Sequence, residues 1–177
     1  MTQSTVYCID SSALIDLKQL YPIVTFPGLW HEMSELVKEG RLIAPREVLK
    51  EVVGDRDLKP WLRQNKRMFV ALSDEQLAIV TDILRDFSPL VDFAKETADA
   101  DPFIIALAIS KKHEPQELFD TRKYVVLTSE KLSNTPTPKI PNVCEHYHVE
   151  CLAGSTALTQ FFRQEGWEFW NTPRGPK

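Results

Sequence analysis

Several acidic residues fall where their chemistry could be pooled. Asp10 follows the apolar stretch Val6-Tyr7-Cys8-Ile9, Glu47 and Glu51 follow Leu42-Ile43-Ala44, and Glu130 follows Tyr124-Val125-Val126-Leu127-Thr128. Asp99 and Asp101 stand just ahead of the apolar run Phe103 to Ile109. Carboxylates brought together from distant segments repel one another, so their convergence points to a bound hard cation. Mg²⁺ takes one or two protein carboxylates and keeps several waters, which leaves room for a phosphate.

Such acids meet only if the apolar stretches belong to one sheet. Ser4 to Ile9, Arg41 to Ala44, Tyr124 to Thr128 and a segment near His148 to Leu152 read as short strands. Between them the spacing turns helical: Asp10 to Leu17, Leu29 to Glu39 before Gly40, Pro45 to Val53 before Gly54, and Leu58 to Asn65. The capping box Ser73-Asp74-Glu75-Gln76 opens a helix through Phe87, and further helices run from Asp101 to Lys112 and from Ser155 to Gln164. Pro136, Pro138 and Pro141 mark a loop. Unalternating strands that alternate with helices predict an α/β fold: a three-layer α/β/α domain with a central, mostly parallel sheet. In open parallel sheets the functional crevice lies outside the carboxyl ends of the strands, where these acids fall.

Composition narrows the class. A chain of 177 residues with 43% apolar and 26% charged residues predicts a single domain able to bury a core. A net charge of −4 weakens any reading as a protein that coats duplex DNA by charge. The longest apolar run, Phe103 to Ile109, falls far short of the roughly 20 residues that span a bilayer. Met1-Thr2-Gln3-Ser4-Thr5 has no positive charge ahead of an apolar stretch, so a secretory signal is not expected. Three scattered cysteines argue against a disulfide framework, and together these features predict a cytoplasmic protein.

Four segments resemble the PIN-domain family, the nuclease fold of VapC-type toxins. Asp10-Ser11-Ser12-Ala13-Leu14-Ile15-Asp16 is similar to the family's opening Asp-Thr-Ser/Asn-x-Leu/Ile-Leu/Ile-Asp. Ile43 to Val52 resembles its strand-to-helix segment ending in Glu-Leu, which implies Glu51 rather than Glu47 as its glutamate. Asp101-Pro102-Phe103-Ile104-Ile105-Ala106-Leu107-Ala108 is similar to Asp-x-x-Ile-x-Ala-x-Ala, and Val125 to Glu130 resembles Val-Thr-x-Asn/Asp/Glu. The four occur in the family's order, and Lys139-Ile140-Pro141-Asn142-Val143-Cys144 suggests a little-characterised bacterial PIN-like branch. One departure is the missing Asp-Phe after the fourth segment, which Glu130 or a loop group would have to replace.

The resemblance implies one PIN-like domain over residues 1–170 with a flexible tail at 171–177, and a metal-dependent endoribonuclease that is the toxin of a type II toxin–antitoxin pair. Asp10, Glu51 and Asp101 would hold Mg²⁺ or Mn²⁺, Glu130 would complete the catalytic set, and Ser12, Glu47, Asp99 and Thr128 would support it. An RNA substrate, a cognate antitoxin and a homodimer are the implied partners, with no membrane. A second reading is a PIN-like module that binds nucleic acid or protein without catalysis; retention of the three main acids counts against it. A third is a phosphatase of the haloacid dehalogenase type, which needs an Asp where Ser12 stands.

Plainer roles compete with these. Asp10 and Asp101 suit helix caps, the latter before Pro102. Cys144, His146 and His148 alternate as if along one strand face, yet with Cys151 they match no common zinc spacing. Arg63 to Arg67 and Lys111-Lys112-His113 read as solvated basic surface. Phe161, Phe162, Trp167, Phe169 and Trp170 read as packing of a terminal helix or a docking face.

Overall fold

A computed structural model describes residues 3–90, 99–115 and 121–167. Its strands are β1 (Ser4–Ile9), β2 (Leu42–Pro45), β3 (Phe69–Val70), β4 (Arg122–Leu127) and β5 (Glu150–Leu152). All are parallel, in the order β3-β2-β1-β4-β5. The central pair β1 and β4 is in register from Ser4 opposite Arg122 to Ile9 opposite Leu127. The chain builds outward from β1 to β2 and β3, then returns to lay β4 on the other side of β1. The order of strands therefore reverses between β1 and β4, which is where parallel sheets open a crevice for ligands.

The helices are α1 (Ser11–Leu20), α2 (Pro27–Lys38), α3 (Arg46–Val52), α4 (Lys59–Gln64), α5 (Asp74–Asp86), α6 (Asp101–His113), α7 (Ile140–His146) and α8 (Ala157–Gln164). Adjacent residues of a strand face opposite sides of the sheet, and β1 uses both. Tyr7 packs edge-to-face on Phe161 of α8, with ring centroids 4.6 Å apart. Tyr21 at the end of α1 meets Phe162 of α8 in the same way. The other face is covered by α6, which lies across β1, β2 and β4 with α5 and α7 packed against it. Residues Ile104 to Ser110 of α6 are all buried, because this helix is enclosed by the sheet and its neighbours. Its one polar residue in that stretch, Ser110, accepts a hydrogen bond from Gln76 Nε2 at 2.8 Å.

Several local expectations need correction. The prolines after β4 do not mark one loop: Pro141 sits in the first turn of α7, where a missing N–H costs nothing. Cys144 and His146 therefore lie on a helix, the first buried and the second exposed, rather than on one strand face. Pro45 ends β2, and α3 starts one residue later. The two-residue β3 has no periodicity to betray it. The basic stretch is not all solvated either: Asn65 is buried against Trp61 and Ser34, and Arg67 Nε donates to Val37 O. The tail from 171 to 177, with Phe169 and Trp170, lies outside the described residues. No helix among the described residues is long and apolar enough to cross a membrane.

At the amino end of the sheet a polar cluster fastens α8. The Tyr7 hydroxyl donates to Glu165 Oε1 at 2.8 Å, Arg41 pairs with the same carboxylate, and Arg41 Nε donates to Thr5 O at 3.0 Å. Removing the hydroxyl leaves the ring packing intact and takes one donor from a nearly buried charge. Tyr7→Phe is expected to lower unfolding free energy by about 1–2 kcal/mol, measured by urea denaturation. An unchanged midpoint means that the aromatic contacts alone hold α8.

Candidate functional site

Asp10 leaves the carboxyl end of β1 as the N-cap of α1. Its Oδ1 accepts the Ser11 N–H at 2.7 Å and its Oδ2 the Ser12 N–H at 3.3 Å. The hydroxyls of Ser12 and Thr128 also donate to Oδ2, at 2.5 and 3.0 Å. The residue is only 2% exposed. Burial pushes its pKa up, and the two hydroxyls pull it back down by favouring the ionised form. Capping and site duties thus coexist in one side chain.

Thr128 follows the end of β4, so its bond to Asp10 ties the two strands at the switch point. Ser129 N–H donates to Ser12 Oγ at 3.1 Å and Glu130 N–H to Thr128 Oγ1 at 3.1 Å, which fixes the direction of the chain beyond β4. Glu130 accepts hydrogen bonds from Lys139 Nζ and from the N–H of Ile140, both at 3.0 Å. Glu51, near the end of α3, accepts the Ala100 N–H at 2.9 Å and so joins α3 to the start of α6.

Asp101 differs from the expected cap. Ala100 occupies the N-cap position, and no side-chain cap bond forms. Burial and then the charges of Glu130, Asp10, Asp99 and Glu51 push the Asp101 carboxyl up to about 8. Its protonation is therefore set first by burial and then by the acids around it, rather than by a helix end.

Asp10, Glu51, Asp99, Asp101 and Glu130 line one cleft of about 480 Å³ together with Ser12 and Lys139. Thr128 is fully buried beneath it. Glu47, one turn before Glu51, does not reach this cleft. Its Oε2 is buried without a hydrogen bond among the described residues, and Lys50 Nζ stands 3.5 Å from its Oε1. A larger hollow of about 700 Å³ lies between the end of α1 and α4, lined by Ile23, Val24 and Trp61 and none of these acids. Lys139 is the site residue that motif reading missed, although the Lys-Ile-Pro-Asn phrase that carries it stood out.

The donor set is made only of carboxylate and hydroxyl oxygens, the kind that Mg²⁺ and Mn²⁺ take and that thiophilic ions do not prefer. Five carboxylates face one ammonium across the cleft lining. In that respect the residues suit a divalent cation. As the side chains stand, no three acid, His or Cys groups among the described residues come close enough to encircle an ion. Glu51 and Glu130 are instead held by the backbone N–H groups of Ala100 and Ile140.

The model of the domain family of unknown function DUF4411 matches residues 7–169, and the chain belongs to that family. No curated protein and no solved structure matches the chain.

The raised pKa of Asp101 has a signed consequence in metal-free protein. The folded state holds this proton up to about pH 8, whereas the unfolded chain releases it near the ordinary carboxylate value. Between those values the folded state binds more protons, so this group's contribution to stability falls as pH rises. Asp101→Asn is expected to be the more stable protein at pH 8, by on the order of a few kcal/mol, with the advantage shrinking toward pH 4. Denaturant unfolding with chelator at both pH values checks this. A variant less stable than wild type at both would make Asp101 a structural residue.

Proposed function

We propose that this chain is a divalent-metal-dependent endoribonuclease of PIN-like type. The observation that carries the reading is the cleft at the carboxyl ends of β1 and β4, where five carboxylates from four segments meet with one ammonium. A polyanion does not approach such a surface without a cation to offset it, since like charges disfavour each other strongly where water is scarce. The order of Asp10, Glu51, Asp101 and Glu130 along the chain, with its likeness to PIN nucleases, favours RNA as that polyanion. The toxin role, a cognate antitoxin and a homodimer come with that likeness and are proposed on it alone.

Asp10, Glu51 and Asp101 are the residues that would hold Mg²⁺ or Mn²⁺, with Glu130 as a further acid. A divalent ion bound there supplies Lewis-acid stabilisation of charge on the phosphate and a more acidic water. The protein's own part is positioning. Ser12 and Thr128 hold Asp10 Oδ2 while the N–H and, at 3.4 Å, the hydroxyl of Ser11 hold Oδ1, so the carboxylate is fixed in place in the lining of the cleft. Releasing Glu51 from Ala100 N–H, and Glu130 from both Lys139 and Ile140 N–H, would let both carboxylates turn toward an ion. Ser12, in the place where a phosphatase of the haloacid dehalogenase type carries its second Asp, donates to Asp10 instead of serving as an acid.

Asp10→Asn, Glu51→Gln and Asp101→Asn are each expected to reduce Mg²⁺-dependent cleavage of a fluorescent single-stranded RNA by about 10²-fold or more, because each keeps shape and removes a charge from the site. Glu47→Gln should retain activity within about tenfold, as a supporting residue at most. Wild-type protein that leaves the RNA intact in both Mg²⁺ and Mn²⁺ would refute the nuclease reading. A dead Glu47→Gln beside an active Glu51→Gln would move the site one helical turn.

A further inference from the structure

The acid cleft does not end at its own rim. Pro89 and Pro138 line it and also line a second hollow of about 530 Å³, so the two spaces share a wall. The second hollow has a different character. Phe87, just past α5, and His146, the last residue of α7, meet edge-to-face with centroids 5.0 Å apart. Tyr147 packs on His146 at 4.9 Å and donates its hydroxyl to Asp86 Oδ2 at 3.0 Å, which fixes this ring cluster from behind.

The proline segment before α7 also lines the hollow, and Asn142 ties its ends together. The Asn142 Oδ1 accepts the N–H groups of Ser133 and Lys139 at 2.9 and 3.0 Å, while its Nδ2 donates to Ser133 O at 2.9 Å. The segment so clamped carries Pro136 and Pro138, which line the same hollow as Phe87 and His146. The hollow is thus lined by aromatic and proline rings, and its charged lining residues are the acids Asp86 and Glu145, with no Lys or Arg. A phosphate is unsuited to it, whereas a flat uncharged ring fits. Its volume lies within the range of small-ligand pockets, and aromatic platforms are the usual partners of unstacked bases.

We propose that this slot binds the nucleobase next to the scissile phosphate, held by the Phe87–His146 rings and the Pro136–Pro138 segment. The proposal rests on the ribonuclease reading for where the phosphate lies, while the slot itself is tested without catalysis.

The test compares adenosine 5′-monophosphate with ribose 5-phosphate, which shares the sugar and phosphate but lacks the base, in titrations of the full chain followed by NMR with and without Mg²⁺. The expected result is binding of the nucleotide about tenfold tighter or better, with shifts at the residues of the slot. Phe87→Leu keeps apolar bulk where the ring touches the core, and His146→Ala changes an exposed residue. Both should shrink the nucleotide's advantage by about fivefold or more and leave ribose 5-phosphate unaffected. Equal affinity for the two compounds, no binding of either, or variants that keep the full advantage would overturn the proposal. Cleavage of RNA by wild type together with equal affinities leaves the nuclease and removes the slot. A base-dependent affinity without RNA cleavage under any metal leaves the slot and removes the nuclease.

Discussion

The hydroxyls of Ser12 and Thr128 donate to one oxygen of Asp10 and hold together the ends of β1 and β4 and the start of α1. Burial pushes the Asp10 carboxyl up, and the two hydroxyls offset part of that by favouring the ionised form. The same contacts fix where Ser129 and Glu130 go, so the far wall of the cleft depends on them as well. Without these bonds the two central strands would still pair, yet their ends would not present an oriented charge. Among the acids gathered there, Asp101 is pushed toward the protonated form, by burial first and then by the charges of its neighbours.

The sheet makes the gathering possible. Reversal of strand order between β1 and β4 leaves a gap at their carboxyl ends, and α3 and α6 each bring an acid to its rim. The opposite end of β1 is closed by the ion pair of Arg41 with Glu165, to which the neutral Tyr7 hydroxyl donates. One end of the sheet thus satisfies its charged groups internally, and the other leaves a surplus of one sign. A surplus of that kind is costly to maintain, and a bound positive charge would offset it.

Strand-to-helix alternation was legible in the residues because β1, β4 and α6 are long enough for their apolar runs to speak. The Ser73–Gln76 capping box was equally plain, and both halves of it form. Two elements were not legible. The strand β3 has two residues and no period, and α7 was hidden by Pro141, which reads as a loop signal although it suits a first helical turn. At the site, Asp10 and its serines could be located by their offset from an apolar run. The choice between Glu47 and Glu51 could not be made from local spacing, since both lie on one helix within a turn. It is the packing of α3 against the start of α6, through Glu51 and Ala100, that separates them. The slot beyond Pro138 has no sequence signature, because its walls come from residues 87, 136, 138 and 146 and meet only in the fold.

The central proposal is that this acidic cleft takes up a divalent ion. Titration of chelator-stripped protein with Mn²⁺, followed by the paramagnetic resonance of free Mn²⁺, addresses it without any substrate. The account predicts saturable uptake by the wild-type chain, displacement by Mg²⁺, and loss of that uptake in Asp10→Asn protein whose circular dichroism is unchanged. Identical free Mn²⁺ over wild type and Asp10→Asn at every concentration would contradict it.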